Sequence, residues 1–170
     1  MNELRFHIPG PVVGKQRARV GVIAGKARMF TPAKTKNYED TIREYAREAM
    51  GQRATIEGPC QCNLLVGVEV PASWSAKKRQ AALQGLTAPT GKPDLDNCIK
   101  SAMDAMNGVV WRDDAQCVTL IAKKRYREKA GLWIAVVDLV GAEVQRQQGF
   151  ISMGAMSLGN VIISPSEVPF

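Results

Sequence analysis

From Cys62 to Val70 the chain is almost unbroken in its apolar character, and the run stops at Pro71. A half-exposed strand alternates apolar and polar side chains, whereas a strand covered on both faces does not need to. This segment therefore predicts a buried strand, and the rest of the chain has to supply what covers it. At 170 residues there is room for one domain with a real core.

Around that strand the local signals are mixed. Leu4–Ile8 reads as a first strand closed by Pro9-Gly10-Pro11, and Arg17–Ile23 with Ala27–Phe30 reads as a basic hairpin turning at Ala24-Gly25-Lys26. Thr31-Pro32 supplies an N-cap and a first-turn proline for a helix reaching Met50, with Tyr38, Ile42, Tyr45 and Ala49 as its apolar stripe. Ser75 caps a short helix over Ala76–Leu83 that stops at Gly85, and Thr87–Pro93 is a loop. A further helix starts at Asp94 and ends at Asn107-Gly108. Strands follow at Val109–Trp111, Gln116–Tyr126 and Leu132–Val140. Strands and helices that mix without regular alternation predict an α+β domain, a mixed β-sheet packed against helices over residues 1–140. Residues 141–170, rich in Gly, Ser, Met and Pro, read as a loosely attached C-terminal extension.

Composition removes several chemistries. The single histidine, His7, alternates with apolar neighbours on a strand, which argues against Ser-His or Cys-His catalysis. Cys60 and Cys62 form a C-x-C pair and Cys98 and Cys117 stand alone, a spacing poor for structural zinc and consistent with reduced, buried thiols. With no apolar stretch of membrane length and no apolar leader, a cytoplasmic protein is expected.

Charge points to a partner. The formal net charge is +7, and residues 1–36 alone carry eight Lys or Arg against one acid. Basic runs return at Lys77-Lys78-Arg79 and Lys123-Lys124-Arg125. Separated basic clusters suit a polyanion, because each phosphate contact releases counterions.

Between Gly91 and Gln116 the chain reads GKPDLDNCIKSAMDAMNGVVWRDDAQ. Leu95, Ile99, Ala102, Met103 and Met106 recur at helical spacing as a buried face, and Asp96, Lys100 and Asp104 form a neighbouring stripe. Each acid has an ordinary reading. Asp94 can be an N-cap, the stripe an ion-pair ladder worth about 0.2–0.5 kcal/mol per pair, and Asp113-Asp114 a turn. Taken together they suggest more. If the connection after the helix folds back, the carboxylates of Asp94, Asp96 and the Asp113-Asp114 pair converge, and converging carboxylates repel unless a cation neutralises them. Hard oxygen ligands suit Mg²⁺ or Mn²⁺, which can activate a water against a phosphodiester without any histidine.

The same residues carry a resemblance. Asp94-Leu95-Asp96-Asn97, Lys100, Asp104-Ala105, Trp111 and Asp113-Asp114-Ala115-Gln116 closely resemble the signature of the RusA family of Holliday-junction resolvases, common on phages and prophages. The likeness spans roughly residues 4–140. It implies a homodimeric, Mg²⁺-dependent endonuclease that resolves four-way DNA junctions by paired symmetrical nicks, in recombination and repair. It makes Asp94, Asp96 and Asp114 the metal ligands, with Asp113 a supporting or turn residue. Lys100 matches the family's essential lysine, and Asp104 fits a role alongside it. Gly14-Lys15-Gln16-Arg17 with Arg19, the loop Thr90-Gly91-Lys92-Pro93 through Lys92, and Asn97 fall in DNA-contacting regions. Two other readings stay open: a non-catalytic module that binds branched DNA, and a nuclease for flaps, forks or replication intermediates. No membrane partner and no organic cofactor are expected.

Overall fold

The apolar run lies in an interior strand, β4 (Cys60–Glu69). Its neighbours are β5 (Cys117–Arg127), parallel to it, and β6 (Gly131–Asp138), antiparallel to it. β1 (Glu3–Pro9) pairs antiparallel with β6, so the four-stranded sheet is ordered β1-β6-β4-β5. The computed structural model describes residues 3–17, 19–23, 26–30 and 32–140. Thr31, the turn residues Ala24 and Gly25, and the extension 141–170 lie outside the described residues. Successive β4 residues Leu64, Leu65 and Val66 are all buried, which is why the run shows no alternation. Gly67 has its own reason. A Cβ there would stand 2.5 Å from the Trp133 ring, so the indole lies where any side chain would sit.

Three helices accompany the sheet: α1 (Ala33–Met50), α2 (Ala76–Leu83) and α3 (Leu95–Met106). α1 and α3 pack on each other and share one core with the strands. In it Ile42, Ala46 and Met50 meet Ala102, Met103 and Met106 over Leu4, Ile8, Leu64, Leu132, Ile134 and Val136. Each of the larger side chains contributes about 1.5–3 kcal/mol on burial. The domain is thus α+β with a mixed sheet, as the order of signals predicts. Among the described residues no helix is long and apolar enough to cross a membrane.

Several local expectations shift. On α1 the fully buried positions are Thr35, Ile42, Ala46 and Met50, while Tyr38, Tyr45 and Ala49 only flank the core. The buried face is centred differently because the helix serves two neighbours, β1 and α3, and Ala46 is fully buried on it. On α3, Cys98, Ser101 and Ala105 are buried beside the expected face, while Leu95 and Ile99 are only half-buried. α2 occupies the predicted residues, with the Ser75 hydroxyl accepting the Lys78 N–H at 3.5 Å. All four cysteines carry free thiols, three of them buried and Cys117 half-buried. His7 stacks on Trp133 with ring centroids 4.3 Å apart, a structural use of the lone histidine.

The predicted strand Val109–Trp111 is instead a tight turn. Val109 and Val110 both donate to the Met106 carbonyl, the Gly108 N–H donates to Trp111 O, and Gly108 adopts φ +71°. Trp111 touches Asn107 and Ile56 through isolated bridges only. Local β propensity gives way to the capping of α3.

The basic hairpin, β2 (Arg19–Ile23) with β3 (Lys26–Phe30), forms a sheet of its own that pairs with no strand of the larger one. Residues 10–17 lead towards it from β1, and Pro32 follows it at the start of α1.

Candidate active site

Asp94 has the extended backbone of an N-cap, φ −72° and ψ 135°, yet its carboxylate caps nothing. A carboxylate at that position ordinarily accepts one of the helix's orphan N–H groups. Here it stays exposed, as do Asp96 in the first turn and Lys100 one turn later. None of the three makes a side-chain hydrogen bond or ion pair among the described residues. Free carboxylates at the positive end of a helix are ready to meet a cation or its waters.

Beneath them lies Cys98. Burial first, opposed by Lys124 and reinforced by the charges of Asp94 and Asp96, pushes its thiol up to about 11. The same balance puts Lys124 within electrostatic reach of this helix start. Lys124 is a β5 residue in register with Val66, and its ammonium donates to Gly91 O at 2.7 Å and Pro93 O at 2.9 Å. The loop that delivers Asp94 is therefore tied to the sheet by a lysine that sequence reasoning had placed on a surface run. Strand parity was the available signal, since Ala122, Lys124 and Tyr126 point away from Lys123 and Arg125.

The D-D-A-Q segment separates its two acids. Asp113 caps a 3₁₀ turn (Asp114–Gln116) and its carboxylate accepts the Ala115 N–H at 2.9 Å. Gln116 completes the box by accepting the N–H groups of Arg112 and Asp113 on Oε1, at 2.8 and 3.0 Å. Its Nε2 donates to the carbonyls of Ile56 and Gly58, at 2.9 and 3.1 Å, latching the turn to the segment before β4. Among the described residues Asp113 is occupied and Asp114, half-buried, is not. Asp113→Ala is accordingly expected to cost about 1 kcal/mol of stability by loss of the cap, whereas Asp114→Ala leaves it nearly unchanged. Urea melts of the two variants check this, and equal losses would remove the distinction.

Among the described residues the three aspartates do not lie in one compact cluster. The 3₁₀ turn packs against α3, but among the described residues no three His, Cys, Asp or Glu side chains come close enough to hold a metal ion. The donor chemistry fits a hard divalent cation, because the free groups are oxygens without competing partners among the described residues. The chain offers them as two pieces, the Asp94/Asp96 pair and Asp114.

The residues expected at DNA divide. Gln16, Arg17 and Lys92 are exposed, and Arg19 opens β2. Asn97 is half-buried, and Gly14 lies against it so closely that a Cβ on the glycine would stand 2.9 Å from the Asn97 Cβ. Lys15 is engaged elsewhere: its ammonium lies 2.6 Å from Glu39 Oε1 and 2.6 Å from Asp104 Oδ2. Asp104 thus pairs with Lys15 rather than with Lys100, and the predicted ladder along α3 does not form. Burial works against the Lys15 charge, but the hydrogen bonds from Asp104 and Glu39 outweigh it and raise its pKa above the usual 10.5. A cation held this way stabilises the fold fully below pH 10.5, and that contribution fades only as pH rises through the raised value.

Comparison with known proteins gives two matches. The family model described as Endodeoxyribonuclease RusA matches residues 9–137. A protein of Bacillus subtilis (strain 168), named Uncharacterized protein YqaN, is 34% identical over 141 residues, covering 82% of this chain and 99% of that protein.

Proposed function

The chain belongs to the RusA endodeoxyribonuclease family, and from that membership we propose that it is a Mg²⁺-dependent nuclease that resolves four-way DNA junctions by paired symmetrical nicks. The observation that carries the reading is the state of the signature acids. Among the described residues Asp94, Asp96 and Asp114 are free of side-chain partners, while Asp113 and Gln116 are consumed in building the turn. In this assignment Asp94, Asp96 and Asp114 hold the metal, which when bound supplies an activated water and neutralises charge on the phosphodiester. Mn²⁺ is an acceptable substitute, having the same taste for oxygen donors.

The chain's own residues do the rest. Lys100, exposed and unpaired on the same helix as Asp96, stabilises negative charge developing at the scissile phosphate. Lys124 fixes the loop carrying Lys92, so that this cation and Asp94 keep a set separation. Gln16, Arg17, Arg19, Lys92 and Asn97 make the DNA contacts, and the exposed basic residues place the phosphates. Two cuts related by symmetry need two sites, hence a homodimer with a two-fold axis. The site of action is the host cytosol.

The test is cleavage of a synthetic four-way junction with linear duplex as competitor, at stated salt. Paired nicks only in the presence of Mg²⁺ or Mn²⁺ are expected. Metal-independent binding without cleavage would replace the proposal with a branched-DNA-binding module. Preferential cutting of flaps or forks would keep the nuclease and change its substrate.

A further inference from the structure

Residues 10–17 form a strap that leaves β1 and crosses to the basic hairpin. At its middle the Lys15 N–H donates to Asn97 O at 2.8 Å, in the first turn of α3 and next to Asp96. Gly14 permits the approach, since any side chain there meets Asn97. One residue on, the Gln16 N–H donates to the Thr35 hydroxyl of α1 at 3.3 Å. The Lys15 side chain then runs down between the two helices to Glu39 of α1 and Asp104 of α3, both at 2.6 Å. These side chains are only 22%, 13% and 32% exposed. A surface lysine read as a phosphate contact would be solvated and free. This one is a clasp.

We propose that Lys15 is a positioning residue: by bridging Glu39 and Asp104 it buckles the strap across α1 and α3 and fixes the basic hairpin relative to the Asp94/Asp96 helix start. Among the described residues the hairpin shares no strand pairing with the main sheet, so the chain segments that enter and leave it help to set its place. The buckle secures the entering one against the helix that carries the acids. DNA gripped by the hairpin is then presented to those acids at a set distance, and reaction rate is sensitive to such placement. The consequence for cleavage rests on the nuclease reading above; the buckle itself does not.

Amide hydrogen exchange on the full chain, without DNA or metal, tests the buckle. Lys15→Met, which keeps the aliphatic stem, is expected to speed exchange of the Lys15 and Gln16 amides at least about tenfold, with Asp104→Asn and Glu39→Gln giving smaller increases of the same kind. Gly14→Ala, with every charge in place, is expected to reproduce the change and covers the case in which Lys15→Met folds poorly. Unchanged exchange in Lys15→Met and Gly14→Ala overturns the proposal. Junction cleavage then tests the consequence. Lys15→Met is expected to lower kcat about tenfold with DNA affinity and its salt dependence unchanged, and the exchanged pair Lys15→Glu with Asp104→Lys is expected to recover part of the loss. A phosphate contact predicts the opposite split: weaker binding, a salt slope smaller by about one ion, and tighter binding in Asp104→Asn. That pattern overturns the positioning role. If the chain cuts no DNA, the exchange result still decides the buckle.

Discussion

Asp96→Asn is expected to reduce junction cleavage about 10³-fold while binding persists. Asparagine keeps the size and shape of the side chain and removes only the charge. Asp96 is exposed and bonds to nothing among the described residues, so stability is expected to stay within about 0.5 kcal/mol. On the proposed assignment what is lost is one anionic oxygen facing the cation, and Lewis-acid stabilisation of a phosphoryl transition state is worth several kcal/mol. About 4 kcal/mol corresponds to the stated factor. Removing a negative charge beside the DNA backbone leaves affinity equal or slightly higher. Single-turnover cleavage in Mg²⁺ and gel shifts in EDTA at the same salt separate the two effects. A rate within threefold of the parent would sink the assignment of Asp96, and the same measurement on Asp114→Asn judges the second acidic piece.

The second large effect is on stability. Trp111 is fully buried, the largest side chain to be so, and its indole N–H donates to Asn107 Oδ1 at 2.8 Å. Trp111→Ala is expected to cost about 3–5 kcal/mol from lost burial and the cavity left behind, with Asn107 losing its partner as well. Because Trp111 pins the end of α3 to the segment before Asp113, the same variant is expected to lose cleavage. Trp111→Phe retains most of the apolar contact and gives a smaller loss. Urea denaturation read by circular dichroism gives the numbers. A loss under about 1.5 kcal/mol for the alanine variant would mean that the indole does not organise this corner.

Much of the fold was readable because its signals are local. The β4 run, the Ser75 cap, the glycine that ends α3 and the alternation in β1 need only a few neighbouring residues to interpret. The resemblance made Asp113 a supporting or turn residue, and it does cap the 3₁₀ turn, but the latch that holds this turn is Gln116, which reaches back to residues near 57 that no spacing rule connects to it. Where reading failed, a distant partner decided. Lys15 and Lys124 look like any other surface cation until Glu39, Asp104 and the carbonyls of Gly91 and Pro93 are brought to them. Val109–Trp111 has the composition of a strand, but a strand needs a continuous partner, and the chain gives it only Ile56 and Asn107. The buried stripe of α1 was misplaced for a related reason. Periodicity identifies a face, but the neighbours that share it choose its centre.

The pairing of β1 with β6 sets a schedule for synthesis. Glu3 is in register with Val137, and β4 has β6 as one of its two neighbours. β1 is therefore made well before its partner β6, and β4 too waits for β6 as its antiparallel neighbour. Contacts so far apart in sequence slow folding and lengthen the exposure of apolar segments. The buried nine-residue run that organises the finished sheet is, until residue 138 emerges, the part of the nascent chain most in need of a chaperone.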